Sequence, residues 1–200
     1  PIPFSSSVYL FTEAIIKFAS EDIKKDILPK LVSGEVIGTL AVTEELNAPT
    51  SENIVTKVQN DRISGVKIAV PDAKVATHSI IVAKSDKGVD LRLIDHSSNG
   101  ITIAHTNSVD ESRGHFSLAI EDVSSKLIGE EGNGFKIAME GLDGGRINIA
   151  TCSIGTAQSA LEEAQKYMEK FRGKDCNWIG LTNDGGSYSA TLYYDSVFST

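Results

Sequence analysis

The pattern of hydrophobic and polar positions changes twice along the chain. In residues 1–35, apolar side chains recur at spacings of three and four, first in SSSVYLFTEAIIKFAS and then in SEDIKKDILPKLVSGE. That period places them on one face of a helix. Gly34 is a residue type that commonly ends a helix, whereas Pro29 is expected to distort the second helix. We therefore predict helices up to residue 35.

From residue 36 to about residue 127 the pattern is that of short strands. Seven segments rich in Val, Ile and Thr are separated by turn-forming stretches such as QND, SDKG and HSSNG. No helical period occurs among them, which predicts an antiparallel β-barrel or sandwich. The segments are VIGTLAVTE, ENIVTKVQ, RISGVKIAV, HSIIVAK, DLRLID, ITIAHT and HFSLAIEDV.

After Gly129 a helical period returns and continues to about Phe171. The predicted fold class is therefore α+β, with helical residues 1–35, a β-domain at 36–130, a long helix at 131–171 and a tail at 172–200. The tail resembles neither neighbour in pattern. Within it, TNDGGSYS predicts a turn and ATLYYDSVF predicts a strand.

Composition restricts the classes of function. The formal net charge is −8 and the basic residues are scattered, which argues against a sequence-independent nucleic-acid surface. No apolar run approaches the roughly 18 residues of a membrane span, and no signal-peptide pattern is present. Cys152 and Cys176 lack metal-ligand spacing and are predicted to be free thiols in a reducing compartment. Because the chain begins at Pro1 rather than Met, we interpret it as a trimmed fragment.

Three short motifs attract notice without deciding the chemistry. GEEGNG (129–134) lacks the Lys-Ser/Thr of a P-loop and is interpreted as a turn. In DGGR, Asp143 is expected to cap the start of a helix. Arg146 would then either hold an anion at the positive end of that helix or pair with Asp143. LAVTEE (40–45) is interpreted as a strand running into a turn.

Three longer segments resemble, in the same order, the acyl-CoA dehydrogenase family. They are LPKLVSGEVIGTLAVTEE at 28–45, RISGVKIAVPDAKVATHSIIVAK at 62–84 and SLAIEDVSSKLIGEEGNGFKIAMEGLDGGRINIATCSIGTAQSALEEAQKYMEK at 117–170. The resemblance implies that residues 1–35 end an N-terminal helical domain, 36–130 form a middle β-domain and 131–171 begin a C-terminal helical bundle. It ends past Phe171, where the tail is interpreted as a product of truncation or of a shifted reading frame.

The resemblance also implies an activity. The family removes the α-hydrogen of an acyl-CoA thioester with a glutamate base and passes a hydride from the β-carbon to FAD. Such a base must be held close to the substrate in a dry site. The implied partners are an acyl-CoA substrate and electron-transfer flavoprotein or a similar acceptor, with an oligomer as the full-length form. The implied location is the bacterial or archaeal cytoplasm, or the mitochondrial matrix.

An alternative hypothesis is a non-catalytic homologue with a degraded flavin site, which keeps the fold for assembly or acyl-CoA binding. Under either hypothesis, the chain by itself is expected to be inactive.

Carried over position by position, the resemblance assigns residues to both ligands. The FAD-binding positions are Leu40, Val42, Thr43, Val70 and Pro71, and the acyl-CoA-binding positions are Pro49, Asp143 and Arg146. Two of these segments depart from the family pattern. In the 45–50 loop, Ala48 and Pro49 replace a Gly-Ser pair, and Ala69 and Pro71 replace an aromatic ring and a hydroxyl. Since Ala offers no ring to stack and Pro has no N–H, weaker FAD binding is expected.

Gly145 occupies the position that some branches of the family give to the catalytic glutamate. In other branches glycine stands there, and the base comes from far down the C-terminal bundle. The resemblance therefore places this chain in the second group. No catalytic residue is assigned within the sequence, and the base is expected in a C-terminal region that the sequence does not contain.

Overall fold

The computed structural model of the chain describes residues 3–107, 114–171, 179–184 and 187–192. It divides into two compact units, Pro1–Asn148 and Ile149–Thr200. The first unit contains helices and a sheet, and it carries every residue that the sequence assigns to a ligand. Among the described residues, no helix is long and apolar enough to cross a membrane.

The predicted N-terminal helices are confirmed. A π-helical segment, Ser5–Thr12, leads into α1 (Glu13–Phe18), and α2 follows at Glu21–Ser33. Gly34 ends α2 in the left-handed conformation, with φ of 78°, as its residue type predicts. The predicted distortion at Pro29 does not interrupt α2, since the helix runs through that position. Its apolar face, with Ile23 and Ile27 buried, supplies packing that offsets the missing hydrogen bond.

One eight-stranded sheet forms the centre of the first unit. Its strands lie in the order β6-β7-β3-β2-β4-β5-β8, with β1 paired to β4 outside that path. The bounds are β1 Gly38–Ala41, β2 Lys57–Gln59, β3 Arg62–Pro71, β4 His78–Ser85, β5 Gly88–Asp95, β6 Ile101–Thr106, β7 His115–Ser124 and β8 Lys126–Ile128. The α+β class is therefore confirmed.

Three details of the sheet differ from the sequence prediction. The sheet is open rather than closed into a barrel, because β6 and β8 lie at the two ends of the strand order. It is mixed rather than purely antiparallel, since β1 and β2 both pair with β4 in the parallel sense. Strand β8, which has three residues and pairs with β5, is absent from the sequence prediction. A segment that short carries too few positions to show a strand period.

Both faces of the sheet are covered, which explains the almost continuous apolar run in β4. Ile80 and Val82 face a core shared with α1, α2 and the start of the long helix, whereas Ile81 and Ala83 face a second core between strands. Alternate residues of a strand point to opposite faces. A strand buried on both sides consequently loses the polar alternation of a half-exposed one.

The GEEGNG segment is a loop that packs onto β5, in agreement with its interpretation as a turn. The buried carboxylate of Asp90 accepts a hydrogen bond from the N–H of Gly132 at 2.7 Å. Gly132 has a φ of 79°, a conformation that favours glycine. Asp90 also pairs with the buried Arg92 at 2.7 Å, so the carboxylate fixes the loop to the sheet.

The long helix α3 (Gly134–Phe171) begins earlier than DGGR predicts. Asp143, Gly144, Gly145 and Arg146 lie within it, so Asp143 is not a helix cap and Arg146 is not at a helix N-terminus. Glycine costs a helix interior only about 1 kcal/mol relative to alanine. The burial of Ile137 and Ala138, with Met139 and Leu142 packed against the same core, outweighs that cost.

The second unit contains the remainder of α3 and a two-stranded hairpin. Side chains 149–167 are almost all exposed, and Cys152 is a free, exposed thiol as predicted. Strand β9 (Ile179–Asp184) pairs antiparallel with β10 (Ser187–Leu192), so the strands extend into both flanks of the predicted turn. Cys176 and residues 193–198 of the predicted strand lie outside the described residues.

Replacing Gly134 by alanine should destabilise the first unit. An added Cβ would meet the backbone of Asp90 and Leu91 at 2.2 and 2.3 Å, and backbone atoms cannot move aside as a flexible side chain can. We expect a loss of about 1–3 kcal/mol in the free energy of unfolding, the range for overpacking. Gly141→Ala is the matched control, because nothing lies within 4 Å of its added Cβ in the same helix. Urea denaturation of both variants tests this; equal stability would contradict the packing of α3 on β5.

Candidate functional site

The end of β1 and the end of β3 lie side by side and form the corner that carries most of the predicted ligand residues. The N–H of Ile68 donates to the carbonyl of Thr43 at 2.8 Å. The hydroxyl of Thr39 donates to the carbonyl of Pro71 at 2.7 Å. We call residues 40–43 and 68–71 the β1–β3 corner. Positions separated by more than twenty residues in sequence are thus brought together.

Within the corner, the predicted FAD-binding residues differ in what they can offer. Leu40 and Val42 are buried in the core beside the helices, and Val70 is buried in the second core, so they have only backbone atoms to offer a ligand. Thr43 and Pro71 are half-buried. The hydroxyl of Thr43 has no hydrogen-bond partner among the described residues, which leaves it available to a ligand.

Ala69 lies at an irregularity of β3. The register with β7 shifts between Lys67 and Val70, and Ala69 is exposed with a φ of 53°. A β-bulge of this kind leaves the extra residue outside the hydrogen-bond ladder. The corner therefore presents a free hydroxyl and a backbone segment that lies outside the hydrogen-bond ladder of the sheet. Both fit the polar edge of a flavin ring system. The corner presents no aromatic side chain for stacking.

A buried ion pair, missed by the sequence analysis, lies directly behind the corner. Glu44 and Lys67 have side chains 4% and 0% exposed, and the Lys67 Nζ lies 2.6 Å from the Glu44 Oε1. Lys67 also donates to the carbonyl of Val42 at 3.1 Å. The signal was present in RISGVKIAV, because strand alternation puts Lys67 on the same inward face as Ile63. A lysine on an inward face requires a buried partner.

The two members of the pair respond differently to burial. Burial lowers the pKa of Lys67 to about 8, with hydrogen bonding to Glu44 and its charge opposing the shift. Burial raises the pKa of Glu44, but hydrogen bonds from Lys67, Thr56 and Val55 outweigh it and hold that pKa below its usual value. Both groups are therefore charged at neutral pH.

Residues 45–55 form a loop between the corner and β2 that carries the predicted substrate residue Pro49. Inside it, the side chain of Asn53 accepts from the N–H of Thr50 at 2.7 Å and donates to the carbonyl of Ala48 at 3.3 Å. Side chains of this type mimic backbone turns. The Ala48-Pro49 step, which replaces Gly-Ser, lies at this turn, where Pro49 is half-buried.

The other two predicted substrate residues lie on the exposed side of α3. Arg146 pairs with Asp143, and their side chains are 74% and 64% exposed. The sequence left two roles open for Arg146, anion binding and pairing with Asp143. The structure shows the pairing. An exposed ion pair contributes little to stability, so Arg146 can exchange this partner for an anion at small cost.

The π-helical segment contacts both α3 and β1. The hydroxyl of Ser5 donates to Asn148 at 3.2 Å, and the hydroxyl of Ser7 accepts from the N–H of Gly38 at 3.2 Å. Leu10 lies so close to Gly145 that an added Cβ there would meet its Cδ2 at 3.0 Å. A glutamate at position 145 would therefore need Leu10 to move. π-Helical turns occur often at functional sites.

A polar cleft lies elsewhere on the first unit, between α2 and the ends of β4 and β5. Its titratable lining consists of Asp26, Lys30, Glu35, His78, Asp95 and Lys126. None of the sequence-predicted ligand residues lines it. Across the described ranges of the chain, no group of three or more metal-ligating side chains is found.

The chain is similar in sequence and in fold to known proteins. The family model described as acyl-CoA dehydrogenase, C-terminal domain, matches residues 132–177. The pig mitochondrial short-chain specific acyl-CoA dehydrogenase is 32% identical over 178 residues, which are 82% of this chain and 43% of the pig enzyme.

Solved structures give the same result. Butyryl-CoA dehydrogenase from Megasphaera elsdenii has a TM-score of 0.73 and 29% identity, covering 82% of this chain and 47% of that one. A chain in the structure described as the electron transferring flavoprotein of Acidaminococcus fermentans has a TM-score of 0.76 and 28% identity, covering 84% and 48%.

The chain spans somewhat less than half the length of the curated relatives that it matches. Over that span the fold and the sequence similarity point to the same family. The chain belongs to the acyl-CoA dehydrogenase family.

Proposed function

We propose that the chain supplies the middle β-domain and part of the helical framework of an FAD-dependent acyl-CoA dehydrogenase. In this proposal residues 1–35, 36–130 and 131–171 correspond to the three parts of the family fold. The observation that carries the proposal is the β1–β3 corner, where the unpartnered hydroxyl of Thr43 lies beside the bulge at Ala69. The supporting finding is membership of a family whose named relatives include short-chain specific dehydrogenases.

FAD bound at the corner would supply the acceptor for a hydride from the β-carbon of the substrate. Thr43 would donate or accept a hydrogen bond to the ring edge, and Pro71 would border the ring. Leu40, Val42 and Val70 would contribute through backbone atoms, because their side chains belong to the cores. Their role is to fix a rigid strand behind the flavin, as precise placement of a cofactor requires.

The acyl-CoA thioester is proposed to lie between the 45–55 loop and α3. Pro49 would border it from the loop, and Arg146 would leave Asp143 to bind an anionic group. Gly145 supplies no base, so the proton would be taken by a glutamate that this sequence does not contain. Electron-transfer flavoprotein or a similar acceptor, and a homo-oligomer, complete the proposed assembly. The non-catalytic alternative gains no support from the comparisons, since the pig and Megasphaera elsdenii relatives are named as dehydrogenases.

Uptake of FAD should depend on the Thr43 hydroxyl. Titration of the purified chain with FAD should quench flavin fluorescence, and Thr43→Val should weaken binding about tenfold, the factor for one hydrogen bond of about 1.4 kcal/mol. Thr102→Val on β6 is the control, because that side chain is exposed and lies outside the corner. A wild-type chain that stays colourless and takes up no added FAD would contradict the cofactor assignment.

Gly145→Glu should not by itself produce acyl-CoA oxidation. Its Cβ would press on Leu10 at 3.0 Å, and the flavin station lacks an aromatic ring at Ala69. Gly144→Glu is the matched control, since nothing lies within 4 Å of its added Cβ. We expect no acyl-CoA-dependent bleaching of flavin in either variant. Measurable turnover from Gly145→Glu alone would contradict a flavin site weakened by the loss of the aromatic ring.

A further inference from the structure

The carboxylate of Glu44 joins the two ends of the 45–55 loop. Glu44 lies directly before the loop, and its Oε2 accepts from the N–H of Val55 at 2.6 Å. Its Oε1 accepts from the N–H of Thr56 at 3.0 Å. The carbonyl of Thr56 in turn accepts from the N–H of Lys84 on β4 at 2.7 Å. One side chain thus joins the first and last residues around the loop.

Lys67 completes this arrangement from β3. Its Nζ donates to Glu44 at 2.6 Å and to the carbonyl of Val42 at 3.1 Å, so it holds the carboxylate against the end of β1. The carboxylate therefore receives three donors, two from the loop end and one from the sheet. Hydrogen bonds to a charged acceptor are stronger than those between neutral groups. Only an ionised acid can accept all three without presenting a donor of its own.

The position of the pair links it to the candidate site. Glu44 follows Thr43 directly, Lys67 comes immediately before the bulge segment of Ile68 and Ala69, and Pro49 lies within the anchored loop. A shift of either charged residue would move a segment that borders the β1–β3 corner. We propose that Glu44 and Lys67 are positioning residues, which hold the 45–55 loop against the β1–β3 corner and thereby set the affinity for flavin. The part concerning flavin rests on the proposed function.

The loop attachment can be measured without any cofactor. Amide hydrogen exchange of the wild-type chain should show protected N–H groups at Val55 and Thr56, because both are bonded to Glu44. In Glu44→Gln, the amide NH₂ group faces donors, and we expect the protection of these two amides to fall about tenfold or more. The double variant Glu44→Gln/Lys67→Met should fold, since neither charge is left buried alone, and should show the same loss.

Asp90→Asn provides the matched control. Asp90 is likewise buried, pairs with Arg92 and accepts a loop N–H, but its loop is the one at Gly132. Its substitution should expose the amide of Gly132 to exchange and leave Val55, Thr56 and FAD affinity unchanged. Glu44→Gln should instead weaken FAD binding about tenfold, in proportion to the lost anchoring.

A pH profile separates positioning from mere stability. Glu44 is the charged group that faces Lys67, whose pKa is about 8. Above that pH the pair loses its positive charge, so FAD affinity of the wild-type chain should fall between about pH 7 and 9 and stay flat in the double variant. Stability should move the other way. Folded Lys67 binds fewer protons than the unfolded chain above pH 8, so this group makes the free energy of unfolding rise with pH.

The two proposals fail in different ways. A wild-type chain with protected loop amides that takes up no FAD overturns the proposed function and the role toward flavin. Unchanged protection of Val55 and Thr56 in Glu44→Gln overturns the positioning role itself, whatever the FAD result. The positioning role is also overturned if FAD affinity falls in both Glu44→Gln and Asp90→Asn in proportion to their loss of global stability.

Discussion

The buried pair of Glu44 and Lys67 is the interaction on which the candidate site depends. Charged groups removed from water must be matched by partners of opposite charge and by hydrogen bonds. Here the requirement is met by three separate parts of the chain: the end of β1, the far end of the 45–55 loop and the middle of β3. The hydrogen bonds of the buried Lys67 and its partner Glu44 therefore fix the relative placement of Thr43, the loop and the bulge at Ala69.

A second buried carboxylate acts in the same way on β5. Asp90 pairs with Arg92 inside β5 and accepts the N–H of Gly132, which fixes the loop that leads into α3. Gly134, at the start of α3, packs too closely on Asp90 and Leu91 for any side chain to fit. Two buried carboxylates thus join irregular segments to a rigid sheet. Loops held in this way can carry a binding site with less loss of entropy on binding than free loops can.

Much of this fold is readable from the sequence, and the failures have physical causes. The helices of residues 1–35 and most strands follow from period and turn residues. The open, mixed sheet does not, because parallel and antiparallel partners are set by contacts between distant segments. The DGGR stretch misled the prediction of a helix start, since the packing of Ile137 and Ala138 outweighs the cost of two glycines. Lys67 could have been identified from its inward position in β3, but its partner, more than twenty residues away, could not.

The candidate site was accessible only through family resemblance, because none of its residues forms a self-sufficient motif. The structure brings the predicted FAD-binding segments of β1 and β3 together. It also shows that the side chains of Leu40, Val42 and Val70 are buried in the hydrophobic cores. The most direct test is to record amide chemical shifts of the isotope-labelled chain during an FAD titration. FAD bound at the β1–β3 corner should give the largest shifts at Thr43, Ile68 and Ala69. Shifts centred instead on the polar cleft around His78 and Asp95, or no shifts at all, would contradict it.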